Sequence, residues 1–154
     1  MPYVPDNGPA READAAIVRV RQAIQDLPDS AAADEPDRLV ADAESLTTLR
    51  LSLDLAGLGA VLPGLLTRLR ATLPTVRRAE DKTRLLRAYF WTAQSAQSLT
   101  CNLGYLDLTW VAAQQVRHAA EQLNDPVWLS AAEFARAHAL IPAGAARSRS
   151  AGRT

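Results

Sequence analysis

The sequence is poor in several residues that mark particular protein classes. It has a single cysteine, Cys101, which excludes an internal disulfide and offers no thiolate cluster for a metal. Aromatic residues make up only 5%, and 17 basic residues balance 17 acidic ones. A chain without net charge has no overall electrostatic attraction to nucleic acid or to an anionic membrane. We therefore expect no direct contact with nucleic acid.

Long apolar runs and the motifs of common active sites are also missing. No stretch reaches the roughly 18 apolar residues of a membrane-spanning helix, and the first residues lack the pattern of a secretory signal. The expectation is a cytoplasmic protein that does not associate with membranes. No glycine-rich phosphate loop or nucleophile elbow occurs. His118, His138 and Cys101 each lack a second ligand or base at useful spacing, which predicts no metal, no cofactor and no enzymatic activity.

Leucine and alanine are abundant, and their spacing is helical. Apolar residues recur every third or fourth position in several segments, which favours an all-α fold of about five to six helices. Proline and glycine residues, which interrupt helices, divide the chain further. The predicted order is a disordered N-terminus at 1–8, an amphipathic helix at 9–27, a flexible linker at 28–36, a helical domain at 37–142 and a disordered basic tail at 143–154.

Capping residues and prolines define the predicted helix boundaries in the first half. Asp37 is the predicted N-cap of the second helix, which is expected to end near Gly57. The next leucine stripe contains Pro63, and proline costs about 3 kcal/mol inside a helix but little in its first turn. The predicted start of the third helix is therefore near Ala60, which leaves Pro63 in the first turn.

The longest predicted helix follows Thr75 and has two stripes of different chemistry. One is apolar, includes Leu85, Tyr89 and Leu99, and is a packing face. The second stripe combines cations, an aromatic ring and polar groups at the same spacing: Arg84, Arg87, Trp91, Gln94 and Ser98. Because arginine pairs with anions and tryptophan offers a stacking plane, this stripe is the candidate ligand-binding groove. The alternative is a solvated helix face with Trp91 packed on a neighbouring helix.

The last third of the chain is predicted to hold two further helices. Gly104 ends the long helix in a left-handed conformation, and Asn124 ends the helix after it. Asp125 and Pro126 suit the N-cap and first position of the final helix. The large apolar residues expected in the core of this region are Tyr105, Trp110, Val127, Trp128 and Phe134.

Two helices joined by a glycine turn, with Asp-Pro opening another helix, have the layout of a tetratricopeptide-type repeat. The Leu103-Gly104 turn and the Asp125-Pro126 break match that pattern in kind. The first helix is longer than the repeat requires, and Val116 stands where alanine is usual. The expected architecture is a right-handed stack of antiparallel helical hairpins, and the alternative is an unrelated helix bundle.

Residues from about 44 to 141 resemble one family more specifically. The segments that carry the likeness are VLPGLLTRL, AYFWTAQSAQSLTCNLGYLDLTWVAAQQVRHAAEQLNDP and FARAHAL, with DLTWVAA in the place of a D-L-A-W-x-A-A helix. They resemble the tetratricopeptide-like C-terminal sensor region of actinobacterial helix-turn-helix transcriptional regulators of the Xre type. The resemblance implies a non-catalytic regulatory domain that senses a ligand or partner and relays it to DNA binding elsewhere. The alternative function is a self-standing helical adaptor for protein–protein interaction.

The last predicted helix lacks the partner helix that would complete its repeat. Phe134 and Ile141 are therefore the candidate interface for a protein or peptide partner, or for a homodimer through this helix. A small-molecule effector is the other expected partner. Residues 1–60 show no basic helix-turn-helix, so we expect a fragment or a shortened relative of a longer regulator.

Overall fold

The computed structural model describes residues 8–25 and 33–139, and nearly all of them are helical. In chain order the elements are α1 (Gly8–Gln25), α2 (Pro36–Leu51), α3 (Leu55–Thr72), a 3-10 turn (Leu73–Thr75), α4 (Ala79–Asn102), α5 (Leu106–Leu123) and α6 (Pro126–Ala139). Within these described ranges there is no strand, and the prediction of an all-α fold is confirmed. Most of the predicted disordered ends and linker, together with Ile141, lie outside the described residues.

The helices pack as two hairpins, with one further helix before them in the chain and one after them. Hairpin α2–α3 lies against hairpin α4–α5, and α4 contacts both α2 and α3. α6 packs on α5 and also reaches α4, whereas α1 packs mainly on α3 and also contacts α5. The α2 and α6 helices therefore flank α4, and α1 covers a different side of the fold.

The leucine and alanine stripes predicted from the sequence form the core. α1 buries Ala13, Ile17 and Val20, and α4 buries its predicted apolar stripe. Removing a leucine side chain from water contributes about 1.5–3 kcal/mol, so these stripes hold the helices together. The largest fully buried side chains include Phe90, Leu39, Leu46, Leu58, Leu62, Leu65, Leu66, Leu69, Leu85, Leu99 and Leu108.

The start of α2 differs from the prediction. Glu35 is the N-cap and Pro36 is the first helical residue, so the prediction that Asp37 caps this helix is wrong. Proline is favoured at this position because its φ angle is already helical and the missing N–H would have no partner there. Asp37 instead lies in the first turn, where its carboxylate pairs with Arg84 at 2.8 Å.

The boundary between α2 and α3 also differs from the prediction. α2 ends at Leu51 rather than near Gly57, and Asp54 caps α3 by accepting the N–H of Gly57 at 2.9 Å. α3 therefore starts before Ala60, and Pro63 lies inside the helix instead of in its first turn. Several leucines on both sides of the proline are fully buried, namely Leu58, Leu62, Leu65 and Leu66. Their burial outweighs the roughly 3 kcal/mol that an interior proline costs.

The predicted boundaries in the last third are confirmed, but part of the predicted core is not. Gly104 has a φ of 85° and Asn124 a φ of 52°, both left-handed, and Asp125 accepts the N–H of Val127 at 2.9 Å. The prediction that Val127 and Phe134 are buried is wrong, since they are 72% and 68% exposed. Trp110 is also exposed, at 40%.

The reason for this exposure is that α6 buries only one of its sides. Ala132 and Ala135 are buried, and Trp128 is half-buried at the edge of the core. Small residues on α6 allow it to approach α5 and α4 closely. The larger apolar residues Val127 and Phe134 lie on other sides of the helix.

α1 approaches α3 closely where Gly59 faces it. A Cβ atom on Gly59 would lie 3.1 Å from the Cβ of Ala16, which is tighter than ordinary packing. The last carbonyls of α1 accept hydrogen bonds from other helices. Arg70 of α3 donates to Ala23 and Ile24, and Gln115 of α5 donates to Ile24 at 2.7 Å. These bonds satisfy carbonyls that a helix end leaves without an internal partner.

Two further polar contacts join α1 to α5 and to its N-cap residue Tyr105. Arg21 and Asp107 form an ion pair at 2.8 Å, which holds the pKa of the Asp107 carboxyl below its usual range. The Tyr105 hydroxyl donates to Asp14 at 3.1 Å, and this bond raises the pKa of Tyr105. α1 is thus attached to both hairpins.

Candidate functional site

The candidate groove runs along the side of α4 that α2 and α6 flank. Arg84, Arg87 and Trp91 line a cavity of about 400 Å³ between α2 and α4, which we call the first cavity. Gln94 and Ser98 line a second cavity of about 250 Å³, bounded also by the end of α2 and by α6. The structure therefore places all five predicted residues along one side of α4, divided between two cavities.

The first cavity has an apolar floor and charged residues at its rim. α2 contributes Val40, Ala43, Glu44 and Thr47 to its wall. At one end, Arg84 pairs with Asp37 at 2.8 Å and with Asp81 at 3.6 Å. The hydrogen bond to Asp37 raises the pKa of the Arg84 guanidinium. Because Arg84 already has acidic partners, Arg87 is the more available cation of the two.

Three aromatic rings pack together in the middle of the groove. The ring centroids of Phe90 and Trp91 are 5.3 Å apart, those of Phe90 and Trp128 are 4.8 Å apart, and those of Trp91 and Trp128 are 5.7 Å apart. All three pairs meet edge to face, the favourable arrangement for aromatic rings. Trp91 thus packs on neighbouring rings, as the alternative interpretation requires, and it lines the first cavity as well.

Two arginines lie over the tryptophan rings of this cluster. The Cζ atom of Arg50 is 5.8 Å from the Trp91 ring centroid, and that of Arg87 is 5.9 Å from the Trp128 centroid. A guanidinium at this distance is attracted by the π-electron face of the ring. Arg50 therefore lies next to Trp91, between the two cavities.

The second cavity contains polar atoms that lack hydrogen-bond partners. Arg50 Nε, Gln94 Oε1 and Gln97 Oε1 are buried and bond to nothing in the described part of the protein. Burial lowers the pKa of the Arg50 guanidinium. Gln97 Nε2 donates to the carbonyl of Ala135 at 2.6 Å, and this bond fixes the amide. Unsatisfied buried polar atoms are rare in native proteins, and here the three residues that carry them line one cavity.

Sequence reasoning missed the residues that define this second cavity. Arg50 belongs to α2, and its position at the groove depends on how α2 packs against α4. Gln97 is on α4 itself but outside the predicted polar stripe. Phe134, predicted as a partner interface, lines the rim of this cavity together with Cys101. The signal that could have identified Gln97 is its position three residues after Gln94, on the same side of the helix.

The remaining predicted residues lie away from the groove or outside the described side chains. His118 is exposed, and its Nε2 lies 2.7 Å from the Gln122 amide nitrogen, which fits the predicted surface hydrogen bonding. The side chain of His138 is outside the described residues. Residues 8–25 and 33–139 contain no group of three His, Cys, Asp or Glu residues that could hold a metal ion. None of the described helices has both the length and the hydropathy that crossing a bilayer requires.

The groove offers cations, amides and aromatic rings, which are the groups of a binding site for a polar or anionic molecule. Comparison of the chain with protein-family models, with curated proteins and with solved structures gave no match.

Proposed function

We propose that this chain is a non-catalytic, tetratricopeptide-like sensing domain of a bacterial transcriptional regulator, acting in the cytoplasm. Its ligand binds along α4, in the groove that α2 and α6 flank. The observation that carries this proposal is that five polar and aromatic residues predicted from spacing alone line two adjoining cavities. A ligand there contacts three helices and is therefore able to change how they pack.

The order of helix contacts supports the tetratricopeptide-like part of the proposal. Each hairpin packs on the next, and α6 adds to the second hairpin as the first helix of a third unit would. In such stacks the first helix of each unit faces a common side, which here corresponds to α2, α4 and α6. The regulatory role itself rests on the resemblance of residues 44–141 to the sensor regions of Xre-type regulators.

The composition of the groove favours binding over catalysis. Its ionisable groups are mainly arginines, which bind anions and do not exchange protons near neutral pH. A general acid–base site needs a group whose pKa lies close to the working pH. The thiol that lines the groove belongs to Cys101, which is half-buried at the second cavity.

Thermal denaturation in the presence of a metabolite library tests this proposal. We expect at least one compound to raise the melting temperature of the purified chain, because a ligand that binds only the folded state stabilises it. Arg87→Ala and Trp91→Ala should weaken that binding about ten-fold or more, while Arg77→Ala, an exposed site outside the groove, should not. Circular dichroism checks that the variants remain helical.

Two outcomes would contradict the proposal. One is that no compound raises the melting temperature and native mass spectrometry finds no retained small molecule. The other is that a bound compound has the same affinity for Arg87→Ala and Trp91→Ala as for the original chain. In either case the groove is not the ligand-binding site.

One observation favours a second candidate function, a protein-interaction adaptor that also forms a homodimer. Val127 and Phe134 on α6 are large apolar side chains that are mostly exposed, 72% and 68% respectively. The two residues are about two helical turns apart on the same side of α6, and exposed apolar side chains on one side of a helix mark an interaction surface. Native mass spectrometry across a range of concentrations distinguishes the two: a dimer that Phe134→Ser converts to a monomer supports the adaptor, and a monomer throughout contradicts the homodimer.

A further inference from the structure

We infer that the second cavity takes a free amino acid, bound as its zwitterion. The inference rests on the proposed function, because it assigns a ligand class to part of the same groove. It begins from the three buried polar atoms without partners, Arg50 Nε, Gln94 Oε1 and Gln97 Oε1. One of them is a charged donor and two are neutral acceptors.

The charged donor calls for an anionic acceptor. The Arg50 side chain forms no ion pair with any carboxylate of the described residues, and its guanidinium lies over the Trp91 ring. A buried donor left without an acceptor costs about 1–3 kcal/mol, so an acceptor supplied by a ligand recovers that free energy. A carboxylate is the group that matches a guanidinium in both charge and shape.

The two amide oxygens call for hydrogen-bond donors. The Gln97 amide cannot rotate to exchange the positions of its oxygen and nitrogen, because the nitrogen already donates to the Ala135 carbonyl at 2.6 Å. Gln94 lies one turn earlier on the same helix, so both amides line the same cavity. An ammonium group has three N–H donors, which is enough for both oxygens.

This count of donors separates a free amino acid from the end of a peptide. A peptide C-terminus also presents a carboxylate near an N–H, but its backbone amide has a single donor and leaves one glutamine oxygen unsatisfied. The lining contains one cation and no carboxylate: Arg50, Gln94, Gln97, Ser98, Cys101, Asn102, Phe134 and Ala135. A simple amine would therefore be repelled by Arg50, and a simple carboxylate would leave both amides unpaired.

The size and walls of the cavity fit the same ligand class. Its volume of about 250 Å³ lies just below the range of about 300–1,000 Å³ that drug-sized ligands occupy. Phe134 and Ala135 give it one apolar side, where the side chain of an amino acid would pack. The first cavity, at about 400 Å³, is larger and lacks these unsatisfied amides.

Isothermal titration calorimetry with the twenty common L-amino acids tests the inference on the full chain. For each amino acid that binds, three analogues are compared: the amino-acid amide without the carboxylate, the des-amino acid without the ammonium, and the N-acetyl amino acid with a single N–H. We expect at least one amino acid to bind and each of its analogues to bind about ten-fold or more weakly, since every analogue loses a charge-assisted hydrogen bond.

Matched variants locate the binding within the fold. Arg50→Gln and Gln94→Leu should each lower the affinity about ten-fold or more. Arg77→Gln and Gln114→Leu make the same changes at exposed positions outside the groove and should leave it unchanged. Circular dichroism of each variant establishes that a loss of binding is not a loss of folding.

Several results would overturn the inference. They are binding of no amino acid, equal affinity for the des-amino or N-acetyl analogue, or unchanged affinity in Arg50→Gln and Gln94→Leu. Equal affinity for the N-acetyl analogue would instead point to a peptide C-terminus. If amino acids fail while another compound binds in a manner sensitive to Arg87→Ala, the proposed function survives and only the ligand class is wrong. If both fail, the groove does not bind small molecules.

Discussion

Replacing Arg50 with methionine removes a half-buried guanidinium and keeps most of its apolar stem. Arg50 Nε has no hydrogen-bond partner among the described residues. A buried donor in that state costs about 1–3 kcal/mol, which Arg50→Met would regain. This contribution alone would make the variant more stable than the original chain.

Two favourable interactions of Arg50 are lost in the same substitution. Its guanidinium lies 5.8 Å from the Trp91 centroid, a contact that contributes about 0.5–1 kcal/mol where it is partly solvated. Arg50 is also the basic residue in the last turn of α2, where the helix dipole favours a cation by about 0.3–1 kcal/mol. Combining the three contributions, Arg50→Met should lie between about 1 kcal/mol less stable and about 2 kcal/mol more stable.

Arg68→Met is the matched control, because Arg68 is also half-buried but has acidic partners. Its guanidinium donates to Asp34 at 3.0 Å and to Asp42 at 2.9 Å, and it links α3 to α2 and to the residues before it. After allowance for partial exposure, losing both ion pairs should destabilise the protein by about 1–3 kcal/mol. The centres of the two expected ranges therefore differ by about 2.5 kcal/mol.

Urea denaturation followed by circular dichroism measures this difference, with an unchanged slope showing that both variants unfold as the original does. For a protein of this size, 1 kcal/mol corresponds to about 2–4 °C in melting temperature, so thermal unfolding gives a second measurement. A free-energy loss clearly above about 1 kcal/mol in Arg50→Met would show that the Arg50 guanidinium is already satisfied. The assignment of the second cavity would then lose its main support.

Three further predictions test the fold. Leu62→Ala should lose about 2–5 kcal/mol in urea unfolding because Leu62 is fully buried, whereas Val61→Ala, at 38% exposed, should change stability by less than about 1 kcal/mol; equal losses would contradict the assigned face of α3. The N–H of Glu35 and a nearby guanidinium lower the pKa of Asp34, so its stabilisation is complete at neutral pH and is lost as pH falls through that lowered pKa. Asp34→Asn should therefore lose less stability than the original chain between pH 7 and pH 2. Equal losses would refute the assignment of this pH-dependent stability to the Asp34 carboxyl. Gly104→Ala should lose about 1–2 kcal/mol in thermal unfolding because its φ is 85°, and an unchanged melting temperature would contradict that conformation.

Much of the fold was predictable because it depends on local patterns. The buried stripes of α1 and α4 follow from residue spacing within one helix, and Gly104, Asn124 and Pro126 end or begin helices through their own backbone preferences. Pro63 was mispredicted because its local cost is exceeded by the burial of leucines that contact other helices. Spacing within a segment carries no information about that competing contribution.

The residues of the candidate site were likewise predictable only where local patterns place them. The five predicted residues lie on one helix, so helical periodicity was sufficient to place them on one side of α4. Arg50 and Phe134 reach the groove from α2 and α6, and their positions depend on how those helices pack on α4. The exposure of Val127 likewise depends on which side of α6 meets α5. These are tertiary contacts, which a single sequence read by periodicity does not specify.

The attachment of α1 bears on how the protein unfolds. In a stack of repeats each unit contacts only its neighbours, so units can melt one after another from an end. Here the carbonyl of Ile24 accepts hydrogen bonds from Arg70 of α3 and from Gln115 of α5, and α1 packs along Gly59 of α3. Separating the hairpins breaks these bonds and exposes the apolar side of α1. The two hairpins should therefore lose their slow-exchanging amides together, as a single cooperative unit rather than repeat by repeat.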